Sequence, residues 1–371
     1  MPQNKKETKK IVLTGGHAGS TAYAVVHELK NDKTIDWQTH WVGTAIAVEG
    51  KVFPTYEKEV LPQVGVCFHH VVTGRLQRKF TLWTIPSLLK IPLGFFQSLL
   101  LLIKLRPKIV LSFGGFAAFP IVVSAWILRI PVIIHEQTML AGLANRLSAP
   151  FAKHIALARK NSVKYFPEKK CHLVGNPLAP EVVQIKSKQE LHKTPVLLIT
   201  AGSRGAVKIN KLISEILKEL LHDFVVIHQT GITQFHKFET KRENLKDNFK
   251  KKYTVYGFVK PWEWYEVWNK VDMIVSRAGA NAVSEIIYTK RPSILIPLTI
   301  NDEQAGNAEF AKNFGIARVL EQKNTSADDL LKEIHKLKKD WNKIVGRVKD
   351  KKSPDVSGAK NLVNLIKKEL L

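Results

Sequence analysis

Twice along this chain a short β-rich run passes straight into a glycine loop and then into a helix. The first instance is Lys10–Thr14, followed by Gly15-Gly16-His17-Ala18-Gly19-Ser20-Thr21 and a helix over Ala22–Leu29. The second is Val196–Ala201, then Gly202-Ser203-Arg204-Gly205 and a helix from Ala206. After the first, strand-like runs recur at Trp37–Gly43, Val64–Val72, Ile109–Ser112, Pro131–His135, His154–Leu157 and Cys171–Val174. After the second they recur near Phe224–His228, Thr254–Tyr256, Met273–Ser276, Ile294–Leu298 and Ala317–Leu320. Helical stretches separate most of them, among them Ala118–Leu128, Trp262–Trp268, Val283–Tyr288 and Gln304–Phe314. Strands alternating with helices imply α/β architecture with a parallel sheet covered on both faces. Ligands of such sheets bind outside the carboxyl ends of the strands. In the first half this singles out the loops 15–21, 113–120 and 135–145. The first glycine loop is neither GxGxxG nor GxxxxGK[ST], which disfavours a dinucleotide fingerprint or a P-loop.

At 371 residues the chain exceeds what one hydrophobic core usually holds, so two domains are expected. The proline-rich run Val174-Gly-Asn-Pro-Leu-Ala-Pro180 reads as the link, giving domains 1–177 and 178–354. Beyond Thr325 the chain is lysine-rich and helical. A last helix, roughly Val356–Leu371, carries Leu362, Leu365, Ile366 and Leu370 on one apolar face. The basic N-terminus is followed by an apolar run, Ile11–Leu13, far too short for a signal peptide. Cys67 and Cys171 stand apart with no CxxC or zinc spacing, as thiols of a reducing compartment do.

The stretch Ser276–Ala308 carries the most chemistry. A small-residue turn, Arg277-Ala278-Gly279-Ala280, opens a helix with Glu285 about one turn in. A buried strand and a polar loop follow, and then a helix with Glu303, Gln304 and Asn307. Free N–H groups and the dipole at a helix start favour a phosphate. A carboxylate one turn on can accept from ribose hydroxyls, and side-chain amides suit a sugar. In that order they spell a nucleotide-sugar site. The plainer alternative is an ordinary strand–helix repeat whose Gly and Glu only cap and solvate. Arg204, at the start of the other loop's helix, is a second phosphate-facing group. His135-Glu136-Gln137, before Gly142 and Asn145, is either a hydrogen-bonded structural unit or part of an acceptor site.

A net charge of +25 calls for an anionic partner. Between Val60 and His135 there are eight Lys or Arg and no Asp or Glu. Within this stretch, Phe80–Pro107 admits three readings. A transmembrane helix is interrupted by Pro86, Lys90, Pro92, Gln97 and Lys104. A plain core helix fits Phe95–Ile103. An interfacial patch, with Leu82, Trp83, Ile85 and Leu88 in the acyl boundary and cations around them, fits the charge bias best. Nucleic acid ranks below a membrane surface, because the stretch has no nucleic-acid-binding signature.

Two open α/β domains with glycine loops, plus a returning C-terminal helix, resemble the GT-B glycosyltransferase fold. That fold implies two Rossmann-like domains facing a central cleft, with 355–371 packing back on the first. The ordered set HEQ (135–137) with Gly142 and Asn145, VGNP (174–177), GSxG (202–205), GF (257–258), RAGA…SE (277–285) and QxxNA (304–308) is similar to one family, MurG. The resemblance covers residues 10–325. It implies a peripheral enzyme on the cytoplasmic face of the plasma membrane that needs no cofactor or metal, and the chain has no DxD pair. Such an enzyme moves N-acetylglucosamine from UDP-N-acetylglucosamine to O4 of the muramyl sugar of undecaprenyl-linked lipid I, with inversion, giving lipid II.

By the same resemblance, Ala280, Asn281 and Ala282 lie along the diphosphate, Ser203 and Arg204 meet the leaving-group charge, Gly205 and Arg277 belong to the donor site, Phe258 and Val259 meet the uracil, Glu285 holds the ribose, and Gln304 with Glu303 and Asn307 holds the sugar. Gly15, Gly16, His17, Ser20, Gly114, Gly115, His135, Gln137 and Asn145 form the acceptor side. His17 leads and Glu136 follows as candidates to take the acceptor's proton. The Phe80–Leu89 patch and Trp126 are the membrane contact. The chain departs from the family in reading GGHAGST for GGTGGH, which leaves His17 and Ser20 as two occupants of the histidine's place. Ala201 stands for a glycine, Arg204 for a glutamine, Thr138 for the asparagine of HEQN, and Ala179 for an arginine. The rivals are another GT-B activity, with a different lipid acceptor or as a UDP-N-acetylglucosamine epimerase, and a non-catalytic nucleotide-sugar or polyanion binder.

Overall fold

The computed structural model describes residues 6–16, 18–46, 54–73, 84–200, 202, 205–298 and 302–370, without the side chains of 84–89 and 302. His17, Leu82, Trp83, Ala201, Ser203 and Arg204 therefore lie outside the described residues, as do the side chains of Ile85 and Leu88. The chain divides into one unit of Met1–Ala179 with Ser357–Leu371, and another of Pro180–Val356.

The first unit runs β1 (Glu7–Thr14), α1 (Gly19–Lys30), β2 (Ile35–Gly43), α2 (Tyr56–Val60), β3 (Cys67–His70), α3 (Thr84–Leu105), β4 (Ile109–Ser112), α4 (Phe119–Ile127), β5 (Val132–Glu136), α5 (Leu143–Ser148), β6 (His154–Leu157) and β7 (Cys171–Leu173). The second runs α6 (Pro180–Val183), β8 (Val196–Thr200), α7 (Val207–Asp223), β9 (Val225–Gln229), α8 (Phe235–Glu243), α9 (Asp247–Lys250), β10 (Tyr253–Tyr256), α10 (Trp264–Lys270), β11 (Met273–Ser276), α11 (Ala280–Thr289), β12 (Ser293–Leu295), α12 (Asp302–Phe314), β13 (Ala317–Val319), α13 (Ala327–Lys339) and α14 (Trp341–Val348). The last helix, α15 (Gly358–Glu369), belongs to the first unit.

Each expected strand is present, and every pairing in the two sheets is parallel. The orders are β3-β2-β1-β4-β5-β6-β7 and β10-β9-β8-β11-β12-β13. In each sheet the order reverses once, between β1 and β4 and between β8 and β11. Such a reversal opens a crevice at the strand ends. The central strands are buried on both faces, which is why they read as unbroken apolar runs such as Ile109–Ser112 and Met273–Ser276.

Two sequence expectations need correction. The run Val64–Val72 is a strand only over Cys67–His70, because Leu61–Val64 forms a 3-10 turn ended by Gly65 at φ +73. The helix expected over Phe95–Ile103 extends through Thr84–Leu105, across both prolines. Pro86 falls in the first turn, where its missing N–H would have no partner anyway, and Pro92 is tolerated inside the helix. Among the described residues no helix is long and apolar enough to cross a membrane.

α15 packs beside α1, burying Leu362, Val363, Leu365 and Ile366. Lys367 pairs with Asp32 at 2.9 Å and Asn361 donates to the Val174 carbonyl at 3.0 Å. Burial opposes the Asp32 charge, but hydrogen bonds from Thr34, Lys367 and Trp37 outweigh it and hold the carboxyl below its usual range. Gly358 lets the helix start against the backbone of Asn176, where a Cβ would overlap the carbonyl. Gly358→Ala is therefore expected to destabilise the first unit by about 1–3 kcal/mol, read as an earlier midpoint in urea by tryptophan fluorescence.

Candidate active site

In the second unit, β11 ends at Ser276 and α11 begins at Ala280, so Arg277-Ala278-Gly279 forms the loop at the sheet's reversal. Gly279 is the N-cap, with no side-chain cap, and no acidic residue occupies the first turn. A Cβ on Gly279 would meet nothing within 4 Å, nor would one on Gly202 in the neighbouring loop. The start of α11 thus faces open space, with Ala280, Asn281 and Ala282 partly exposed around it. Gly205 closes the other loop at φ +69, and a Cβ there would overlap the Thr230 carbonyl. This loop has to contain glycine.

Glu285 sits one turn further along α11. Some of its surface is still exposed, yet burial pushes its carboxyl up to about 8. No donor or cation among the described residues meets that carboxylate. Gln304, on α12, accepts the Leu298 N–H through Oε1 at 3.1 Å, and its own N–H groups have no partner among the described residues. Phe258 is partly exposed after β10 and Val259 beside it is buried.

Two donor-side expectations are corrected. Arg277 is 9% exposed and turns inward, donating through Nη1 to the Ile296 carbonyl at 2.8 Å. Burial lowers its pKa, and the guanidinium ties the end of β12 to the loop instead of facing the donor site. Asn307 is also buried, and its Nδ2 donates to the Ala278 carbonyl at 3.2 Å. It holds the loop's backbone rather than reaching a sugar.

In the first unit, the loops after β1 and β4 meet at the reversal. Gly16 N–H donates to the Gly114 carbonyl at 2.8 Å. Gly114 and Gly115 sit at φ +81 and +87, and a Cβ on Gly115 would lie 2.8 Å from Gly16 N. Ser20 is partly exposed on the first turn of α1, and Thr21 donates to Gln137 Oε1 at 2.9 Å.

The 136–145 loop hangs on one carboxylate. Glu136 Oε1 accepts from Thr138 N (3.0 Å) and Thr138 Oγ1 (2.6 Å), and Oε2 from Gly142 N (3.0 Å) and Asn145 Nδ2 (2.9 Å). Four donors occupy the lone-pair sites of a carboxylate. The expectation of Glu136 as a proton acceptor is therefore corrected: it fastens the loop. Thr138, where the family has asparagine, supplies two of those donors. His135 is also corrected, since it is fully buried, donates from Nε2 to the Gly175 carbonyl at 3.2 Å and packs edge-on against Phe113.

Sequence reading missed Glu57. It is 4% exposed on α2, and its Oε1 accepts the Ala18 N–H at the start of α1, at 2.9 Å. The Tyr56 ring covers Gly19 beside it. The start of α1 thus already meets a carboxylate. A charged residue in a short polar segment gives no periodic signal that would have exposed this role.

Set against known proteins, residues 11–157 match the model of the glycosyltransferase family 28 N-terminal domain, and 196–366 that of its C-terminal domain. Curated transferases with the full UDP-N-acetylglucosamine–N-acetylmuramyl-(pentapeptide) pyrophosphoryl-undecaprenol name are similar over most of their length. The one from Legionella pneumophila (strain Paris) is 32% identical, covering 97% of this chain and 96% of its own. One from Bacillus thuringiensis (strain Al Hakam) is 31% identical, covering 89% and 91%. Among solved structures, Acinetobacter baumannii MurG aligns with TM-score 0.67 at 23% identity, over 97% and 99% of the two chains. A Neisseria meningitidis UDP-GlcNAc 2-epimerase bound to UDP-GlcNAc aligns with TM-score 0.61 at 14% identity, over 97% and 100%. These two likenesses show the fold alone. Paired family 28 domains on two parallel sheets define a GT-B glycosyltransferase. Within that class the chain belongs to the MurG family of N-acetylglucosaminyltransferases.

The raised carboxyl of Glu285 has a pH consequence. The folded protein holds a proton there that an unfolded chain releases near 4.5, so this group costs stability as pH rises from there to about 8. Glu285→Gln is expected to melt near the parent temperature at about pH 5 and above it at about pH 8.5 in differential scanning calorimetry.

Proposed function

We propose that this enzyme transfers N-acetylglucosamine from UDP-N-acetylglucosamine to O4 of the muramyl sugar of undecaprenyl-pyrophosphoryl-linked lipid I, with inversion, giving lipid II. The observation that carries the donor half is the open start of α11, with the Glu285 carboxylate one turn in and the Gln304 N–H groups on α12 both without a partner among the described residues. The diphosphate lies at the helix start near Ala280, Asn281 and Ala282, where N–H groups and dipole meet the charge that grows on the leaving UDP. The family resemblance assigns Ser203, Arg204 and Gly205 to the same donor site. The two ribose hydroxyls donate to Glu285, Phe258 and Val259 meet the uracil, and Gln304 donates to the sugar.

On the acceptor side, the loops of Gly15–Ser20, Gly114–Gly115 and Gln137–Asn145 shape the site, and His17 takes the O4 proton. The enzyme works peripherally on the cytoplasmic face of the plasma membrane. Support for this comes from α3, where Leu93, Phe96, Leu100 and Ile103 recur at helical spacing and are each about half exposed. Trp126 and Ile127 on the adjacent α4, and Leu143 and Leu147 on α5, are exposed as well. Lys90, Lys104, Arg106, Lys108 and Arg129 supply cations without a single acid in that stretch. Apolar side chains with a basic surround suit an anionic bilayer surface.

Purified protein with labelled UDP-N-acetylglucosamine and lipid I in detergent should yield labelled lipid II, and product formed from donor alone would instead indicate epimerisation. Glu285→Ala should raise the donor KM by about tenfold or more with no new product, since the ribose loses its acceptor. UDP binding near pH 7 should release protons, because ribose hydroxyls favour the charged carboxylate; calorimetry in buffers of different ionisation enthalpy reads this directly. Phe96→Glu with Leu100→Glu should abolish sedimentation with phosphatidylglycerol vesicles while leaving UDP binding intact.

A further inference from the structure

We propose that the second unit carries a further binding site, for a small oxyanion of the kind borne by a phosphate ester or a carboxylate, at the amino ends of its strands. Lys186, Lys188 and Arg291 supply the charge that holds it.

These residues come together around a cavity of about 410 Å³, lined by 186–192, Asn269 and Arg291. Pockets for small ligands begin at about 300 Å³, so the space suffices. Arg291 lies just before β12, Asn269 near the end of α10, and 186–192 between α6 and β8. The donor crevice is elsewhere. Helix α11 starts at that crevice and ends at Thr289, whose carbonyl accepts from Arg291 Nη1 at 2.8 Å. The cavity therefore sits at the other end of the same helix, roughly 15 Å away along its axis.

Behind the cavity wall is one buried acid. Asp272 is fully buried just ahead of β11, and its Oδ2 accepts from Val196 N and His192 Nδ1, each at 2.8 Å. Lys188 Nζ stands 3.1 Å from Oδ1. Asp272 is thus matched by Lys188, whose ammonium keeps further donors. Lys186 and Arg291 form no ion pair among the described residues, and Glu190 is the one acid among the lining residues.

Arg291 is 1% exposed. Its Nη2 donates to the Lys186 carbonyl at 3.3 Å, and its Nε has no hydrogen-bond partner among the described residues. Burial lowers its pKa to about 10, an effect that Asp272 opposes only in part. Tying two carbonyls is a task that a neutral donor could perform, whereas a buried cation is costly without a counter-charge in contact. A structural tie also leaves unexplained the two lysines on the same wall, Lys186 exposed and Lys188 partly buried. An oxyanion brings the missing charge and accepts from the ammonium groups and from the Asn269 amide.

Orthophosphate and, separately, acetate titrated by calorimetry into the full chain holding saturating UDP, at fixed ionic strength, read this site without the donor crevice. Saturable uptake of one ion per chain is expected, of orthophosphate for a phosphate ester and of acetate for a carboxylate. Lys186→Glu should weaken that uptake by about tenfold or more, while its melting temperature and UDP affinity stay with the parent's. Arg291→Met should abolish uptake, its melting temperature showing whether it folds. If it does not fold, Lys186→Glu decides alone. No saturable uptake of either ion, or uptake that Lys186→Glu leaves unchanged, overturns the proposal.

Discussion

Where two neighbouring parallel strands send their chains to opposite faces of a sheet, no helix covers the gap between them. Both sheets here have one such gap, beside β1 and β4 and beside β8 and β11. The backbone leaving those strands must turn at once and expose its amides, so glycine collects there: Gly15, Gly16, Gly114 and Gly115 in one unit, Gly202, Gly205 and Gly279 in the other.

The two units finish the same crevice in opposite ways. In the second, the start of α11 has no side-chain cap and no acid in its first turn, and its buttresses turn away: Arg277 grips Ile296 and Asn307 grips Ala278 from behind the loop. That arrangement suits a ligand bringing its own negative charge. In the first, Glu57 has taken the start of α1 and the two glycine loops are bonded to one another.

The alternating architecture was legible in the sequence because strands buried on both faces, such as Ile109–Ser112, are apolar runs closed by glycine. Elements whose partners are distant were not. The length of α3 hid behind Pro86 and Pro92, whose spacing reads as interruption until the neighbouring helix is known. In the site, the residue types were legible and their directions were not. Arg277 and Asn307 look like ligand contacts in one dimension, but a carbonyl one strand away claims each of them. His135 and Glu136 sit at a strand end, as a binding residue would, yet burial of one and four donors on the other make them loop architecture. Glu57 went unseen because nothing local distinguishes a buried Glu from its exposed neighbour Glu59.

The crossing of α15 bears on how the polypeptide acquires its shape during synthesis. Helix α1 leaves the ribosome early, but the surface that covers its flank, with Lys367 for Asp32 and Asn361 for Val174, follows the whole second unit in the chain. The first sheet must therefore wait, with one side of its helical layer unclad, while all of the second unit is made. A nascent chain halted before Gly358 carries a complete second unit and a first unit that still lacks its last helix.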